Sequence, residues 1–148
     1  MSNRTLVSFS TTLEVRDNCL CLHLQRAARA VARRFDEVLR PFGLTNGQFS
    51  LLMSLNRPEP PTISSVAALL AMDRTTLTAA VKPLERRGLL QVVVDGSDRR
   101  SRRLVLTAAG LRALAAAVPA WRDEHAVIEK RMGGKKLDML RMDLRGLG

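Results

Sequence analysis

The stretch from Asp73 to Thr107 switches from a helical period to a two-residue period and then back to a helix, and no other stretch constrains the fold as tightly. Asp73 is a helix N-cap type, and Leu77, Ala80, Val81 and Leu84 follow it on one face of a helix over 74–87. Gly88 is the stop signal. Residues 89–94 are then almost all apolar, 95–101 are polar with a glycine, and 102–106 return as a second strand. Thr107 caps the next helix. The prediction is a helix packed beside a two-stranded hairpin.

The flanks read as helices. Leu20, Leu24, Ala27, Ala28, Val31, Phe35, Val38 and Leu39 recur at three- and four-residue steps, with Arg26, Arg29, Arg33, Arg34 and Asp36 on the other face. The pattern predicts an amphipathic helix entered through Asp17 or Asn18 and ended before Pro41 and Gly43. Thr45 with Gln48 forms a capping box ahead of Phe49, Leu51, Leu52 and Leu55. After the Pro-rich run at 57–61, Ser64 or Ser65 is expected to cap a short helix carrying Val66, Leu69 and Leu70, with Ala71-Met72 as a tight turn. A long helix over roughly 108–131 carries Leu111, Leu114, Ala115, Val118, Trp121 and Ile128, with Pro119 expected to kink it or cost a hydrogen bond. Gly133-Gly134 sets off a last helix bearing Leu137, Leu140 and Leu144. The N-terminus, Met1 to Thr12, is Ser/Thr-rich without apolar periodicity, and is expected to be weakly ordered.

The fold class is therefore mainly α with a small β-wing. We expect one domain over 1–148: a winged helix-turn-helix core at 45–107, and helices at 15–40 and 108–148 left over for dimerisation. The amphipathic segments at 18–40, 108–131 and 135–146 exceed what one small winged core can cover, so their apolar faces call for a second copy of the chain.

Charge narrows the partner. The 148 residues hold 24 Lys and Arg against 14 Asp and Glu, a net +10, which favours a polyanion. Four Phe, one Trp and no Tyr supply few stacking platforms for single strands, so duplex DNA is the better match. No apolar run is long enough for a membrane span, and no apolar leader with a small-residue cleavage site opens the chain. A cytoplasmic protein with reduced thiols and no membrane partner is the expectation.

The helices at 64–71 and 74–87 match helix-turn-helix spacing. Opposite its apolar stripe the second one shows Arg74, Thr75, Thr76, Thr78, Ala79 and Lys82. Small and hydroxylated residues let a backbone approach base edges, and Thr methyls meet thymine methyls. Arg74 can reach a guanine edge or a phosphate, and Lys82 suits a phosphate. The hairpin carries Arg99, Arg100, Arg102 and Arg103, which repel one another unless an anion lies nearby, and which suit a narrow minor groove. Asp98 is read as the internal partner that orients one of these guanidiniums, and Asp95 as a turn residue. Pro83 inside the helix is unexplained by periodicity.

Three runs together resemble the multiple antibiotic resistance regulator (MarR) family of winged helix-turn-helix regulators. They are Asp73-Arg74-Thr75-Thr76-Leu77-Thr78, then Lys82-Pro83-Leu84-Glu85-Arg86-Arg87-Gly88-Leu89, then Asp98-Arg99-Arg100-Ser101-Arg102-Arg103. Asp98 and Arg100 take the places of the family's Asp-x-Arg wing signature, and Leu44-Thr45 with Gln48-Phe49 is similar to its second-helix opening. The likeness extends over about 18–145 and accounts for Pro83 as a habitual feature. It implies a homodimer with interlocked terminal helices on a pseudo-palindromic operator, usually a repressor that a signal releases. Two-fold symmetry would set the reading helices about 34 Å apart. A DNA-binding protein without an effector, coating duplexes architecturally or non-specifically, is the alternative.

Two routes for the signal stay open. Cys21, by its spacing to Leu44-Thr45, resembles the reactive cysteine of the family's organic-peroxide-sensing branch, although the tyrosines of that branch have no counterpart here. Cys19 and Cys21 on one helix would point apart, so a bond between them is not expected. An ordinary packing role for both is the competing reading. The resemblance also implies a cleft for a small aromatic ligand, with His23, Arg26, Phe49 and Met53 as candidate lining. No metal and no cofactor is expected, since Cys-x-Cys-x-His on one helix cannot converge on a tetrahedral ion. With two histidines and no nucleophile–base pair, phosphate loop or carboxylate pair, the residues give no basis for an enzyme.

Overall fold

The computed structural model describes residues 6–148 and divides into two compact units, one reaching to Arg34 and the other Phe35–Gly148. In the first unit, α1 runs Phe9–Asn18 and α2 begins at Leu20, ending at Leu39 within the second unit. The expectation of weak order therefore fails over 9–12, while residues 1–5 lie outside the described residues. The Ser8 hydroxyl accepts the Thr11 N–H and starts α1, so a local cap does what an apolar stripe would otherwise do. Entry through Asp17 or Asn18 is also corrected. Both belong to α1, and Cys19, in extended conformation, closes that helix through its N–H on the Val15 carbonyl.

The second unit continues with a short 3₁₀ turn at Arg40–Phe42, then α3 (Asn46–Ser54), α4 (Ile63–Leu69) and α5 (Arg74–Arg86). Strands β1 (Leu90–Val94) and β2 (Arg102–Leu106) follow, then α6 (Ala108–Met132) and α7 (Gly134–Arg145). The capping box of Thr45 and Gln48 is present at α3. At α4 the cap is Thr62, whose hydroxyl accepts the Ser65 N–H at 3.1 Å, and not Ser64 or Ser65. With Thr62 as cap, Ile63, Val66 and Ala67 fall on the buried face. The turn after α4 places Ala71 at φ +52°, a left-handed conformation that L-residues adopt at a cost.

The core of the second unit draws apolar stripes from the end of α2, from α3 to α6 and from both strands. Leu39, Leu51, Leu52, Val66, Leu77, Leu84, Leu90, Leu104 and Leu114 are all but inaccessible to solvent. The hairpin is antiparallel, pairing Leu90 with Leu106, Val92 with Leu104 and Val94 with Arg102. Leu90 and Leu104 enter the core, whereas Val93 and Val94 are exposed toward the loop. Along α6, which runs through Pro119, Leu114 and Ala117 are buried and Val118, Trp121 and Ile128 pack against the core, but Leu111 is exposed.

The wing is welded to α6 at a close approach. The Thr107 hydroxyl donates to the Gly88 carbonyl at 2.7 Å and accepts the Gly110 N–H at 3.0 Å, while its own N–H donates to the Leu89 carbonyl. A Cβ at Gly110 would stand 2.0 Å from the Leu89 oxygen, so only glycine fits there. Gly88, at φ +72°, makes the left-handed turn that ends α5 and aims the chain into β1.

Candidate nucleic-acid interface

α5 presents the polar face that its sequence predicts. Leu77, Val81 and Leu84 are buried, and Arg74, Thr75, Thr76, Thr78, Ala79 and Lys82 are exposed. Arg74, Thr75, Thr78, Ala79 and Lys82 line one shallow concavity of about 330 Å³. Thr76 is occupied differently. Its N–H and hydroxyl donate to the two carboxylate oxygens of Asp73, at 2.7 and 2.8 Å. These bonds, the backbone one foremost, hold the Asp73 carboxyl below its usual pKa. The exposed face thus joins a guanidinium, an ammonium, two free-facing threonines and a methyl, a set suited to phosphates and base edges.

The wing is built by two carboxylates: Asp95 makes the turn expected of it through the Ser97 N–H, and it also takes the guanidinium expected at Asp98. Asp98 does not orient a guanidinium. Its Oδ1 accepts the backbone N–H of Arg100 at 3.0 Å, shaping the tip. Asp95 is the carboxylate that meets a guanidinium: the Arg103 Nε lies 3.2 Å from its Oδ1 and the Nη2 donates to its Oδ2 at 3.4 Å. The Arg103 hydrogen bonds, followed by the Ser97 N–H, hold the Asp95 carboxyl below its ordinary range. Arg103 is consequently not one of the tip arginines. It lies within β2, and strand alternation turns it away from Arg102 toward Asp95. Arg102 donates to the Arg99 and Ser101 carbonyls yet stays exposed, so Arg99, Arg100 and Arg102 are the exposed arginines at and beside the loop.

Two fastenings of the wing had no counterpart in the sequence reading. The Glu85 carboxylate of α5 accepts the Val92 N–H of β1 at 3.2 Å. On the other edge, the Leu104 N–H donates to the Pro61 carbonyl at 3.0 Å, and Thr62 bridges to Arg103. Parity along the strands could have signalled the ion pair, because Arg103 faces Val93 and Asp95 is the next residue on that same side.

The remaining candidates lie elsewhere. Phe49 and Met53, with Ser50, Ser54, Leu69, Leu70 and Trp121, line a recess of about 410 Å³. Phe49 stacks on Trp121 at 6.1 Å between ring centres, and Trp121 neighbours His125 at 4.9 Å. His23 and Arg26 are exposed on α2 in the first unit, with His23 Nδ1 2.7 Å from the Cys19 carbonyl oxygen. Cys19 and Cys21 are free thiols, the first half-buried and the second exposed. Among the described residues no helix is long and apolar enough to cross a membrane, and no three His, Cys, Asp or Glu side chains converge as metal ligands would.

Known proteins share this arrangement. The MarR family profile matches residues 44–101. The transcriptional regulator MosR of M. tuberculosis, solved in complex with DNA, is 38% identical, with a TM-score of 0.80 over 88% of this chain and 93% of that one. The transcriptional repressor CouR, solved on a 23-mer DNA duplex, is 30% identical with a TM-score of 0.79, covering 90% of this chain and 94% of its own. Among curated sequences, the uncharacterised HTH-type transcriptional regulator YwoH of Bacillus subtilis is 34% identical over 84 residues, 57% of this chain. The chain spans 55% to 64% of the length of the first such curated relatives. The predicted fold class, mainly helical with a two-stranded wing, is that of these structures. By sequence and by fold, the chain belongs to the MarR family.

Proposed function

We propose that the protein is a homodimeric, sequence-specific repressor of transcription acting on a pseudo-palindromic operator. The observation that carries this reading is the single concavity that gathers Arg74, Thr75, Thr78, Ala79 and Lys82 on α5, on a winged core whose loop exposes Arg99 and Arg100. In this reading Arg74 and the threonines sit in the major groove, Lys82 meets a phosphate, and Arg100 enters the flanking minor groove. Asp98 shapes the loop that presents it. Exposed apolar side chains on α6 and α7, among them Val127, Met139, Leu140, Met142 and Leu144, support the dimer. MosR and CouR, each seen on DNA, support the duplex as partner.

The test is Arg100→Ala, with sedimentation to follow the dimer and titration against a duplex selected from a randomised library. Affinity should fall by about one to two orders of magnitude with the dimer unchanged. Full-strength binding by the variant refutes the wing assignment.

Release by a signal belongs to the same reading. The recess beside Phe49, Met53 and Trp121 suits a small aromatic effector, and the exposed Cys21 suits an oxidant. Titrating DNA release with oxidant in wild type, Cys19→Ser and Cys21→Ser separates them. Loss of release in one variant selects the thiol, and an unresponsive wild type removes the thiol and leaves the ligand route.

A further inference from the structure

We infer that Arg103 is a positioning residue for the wing, which sets where Arg99 and Arg100 stand against DNA without touching DNA itself. The inference rests on the duplex-binding reading above. Its observation is a buried charge where none is needed for solubility. Among the described residues Asp95 is the one charged residue that is buried, 8% exposed, shielded at the root of an otherwise exposed loop and outside the hydrophobic core. A buried carboxylate is costly unless it is paired and its remaining lone pairs are filled. Here they are filled: Arg103 approaches both oxygens, and the N–H and hydroxyl of Ser97 donate to Oδ1 at 3.2 and 3.1 Å.

The same guanidinium also donates through Nη1 to the Pro60 carbonyl, outside the wing. Residues 60–62 therefore serve two elements at once. Pro60 and Pro61 carbonyls hold the edge of β2, and Thr62 caps α4, the helix that packs on α5. Arg103 is thus the link between the loop root at Asp95 and the segment that starts the helix-turn-helix. A planar guanidinium can satisfy a carboxylate and a carbonyl in fixed directions, which an ammonium cannot. Such a pair fixes geometry more than it adds stability, since an apolar pair of similar volume would serve stability as well. The Asp95 N–H closes the loop on the Ser101 carbonyl at 3.1 Å, so a shift of Asp95 moves both ends of the arginine loop together.

Arg103→Lys and Asp95→Asn test this. The first keeps the charge that a direct phosphate contact would use, and the second keeps the size of the side chain while removing its charge. Each is footprinted on the selected duplex, with hydroxyl radicals reporting the minor groove and guanine N7 methylation reporting the major groove. We expect minor-groove protection at the operator flanks to disappear, affinity to fall at least about tenfold, and the guanine protections from α5 to persist at saturating protein. A loss of general stability would weaken both signals together and overturns the inference. Arg103→Lys footprinting as wild type also overturns it and leaves the duplex-binding reading standing. A wild type that protects no selected duplex overturns both. Asp95→Asn reads the same link if Arg103→Lys fails to fold, and intact flank protection in that variant is equally contrary.

Discussion

Replacing Gly110 by alanine sets two well-measured effects against each other at one position. Gly110 lies in the first turn of α6, where alanine is favoured over glycine by about 1 kcal/mol of intrinsic helix propensity. The structure opposes that gain. The new methyl would stand 2.0 Å from the Leu89 carbonyl oxygen and 2.8 Å from Leu106 Cδ1, and it must retreat by about 1 Å to reach even 3.0 Å from the oxygen. That carbonyl accepts the Thr107 N–H, so displacing it loosens the joint between α5, the wing and α6. Overpacking of this kind costs roughly 1–3 kcal/mol, and the backbone obstacle argues for the upper end. The expected net effect is about 2 kcal/mol of destabilisation.

Gly47, in the first turn of α3, is the control, because a Cβ there meets only Thr45 Oγ1 at 4.0 Å. Gly47→Ala should be neutral or stabilising by up to about 1 kcal/mol. Urea unfolding of both variants at one protein concentration gives the comparison, since self-association makes a midpoint depend on concentration. Gly110→Ala unfolding at or above the wild-type midpoint refutes the close approach at the wing joint.

Three further outcomes follow from the caps and turns. Thr62→Ala should cost about 1 kcal/mol by urea unfolding, and Ser64→Ala less than about 0.5; the reverse order would return the cap to the serines. Ala71→Gly should stabilise by roughly 0.5 kcal/mol, because it relieves a left-handed alanine at a modest entropic cost; a loss of stability would deny that strain. Folding lowers the Asp73 pKa, so its ionised cap contributes stability that is full above the unfolded value of about 3.9 and is lost as pH falls through the folded value. The stability gap between wild type and Asp73→Asn should therefore hold from neutral pH to about 5 and shrink below about 4; a gap that widens on acidification contradicts the cap.

Much of the fold was legible because its signals are local. Asp73, Thr45 and Thr107 announce their helices by cap chemistry, and Gly88 ends α5 where a left-handed turn is required. The two strands of the wing followed from the apolar run at 89–94, the polar loop and the return at 102–106. What escaped depended on partners distant in sequence. Arg103 looked like a fourth tip arginine until Pro60, far from it along the chain, came into reach of its guanidinium. Asp95 and Asp98 are chemically alike, and only the side of the strand decides which meets the arginine. The helix α1 escaped for another reason. None of its residues is buried, so no apolar period exists to read, and its start rests on one serine hydroxyl. In the candidate site the face of α5 was legible from spacing, but the capture of Thr76 by Asp73 depends on the rotamers of both side chains, which spacing does not fix.

In the proposed function, α5 and the wing together read a particular duplex sequence. The most direct measurement of this is equilibrium binding of the wild-type protein to the duplex selected from a randomised library, against a scrambled duplex of equal length and composition, over a range of salt concentrations. The selected duplex should bind at least about 10³-fold tighter near physiological salt, with affinity for both falling as salt rises. Equal affinity for the two duplexes at every salt concentration would contradict that reading.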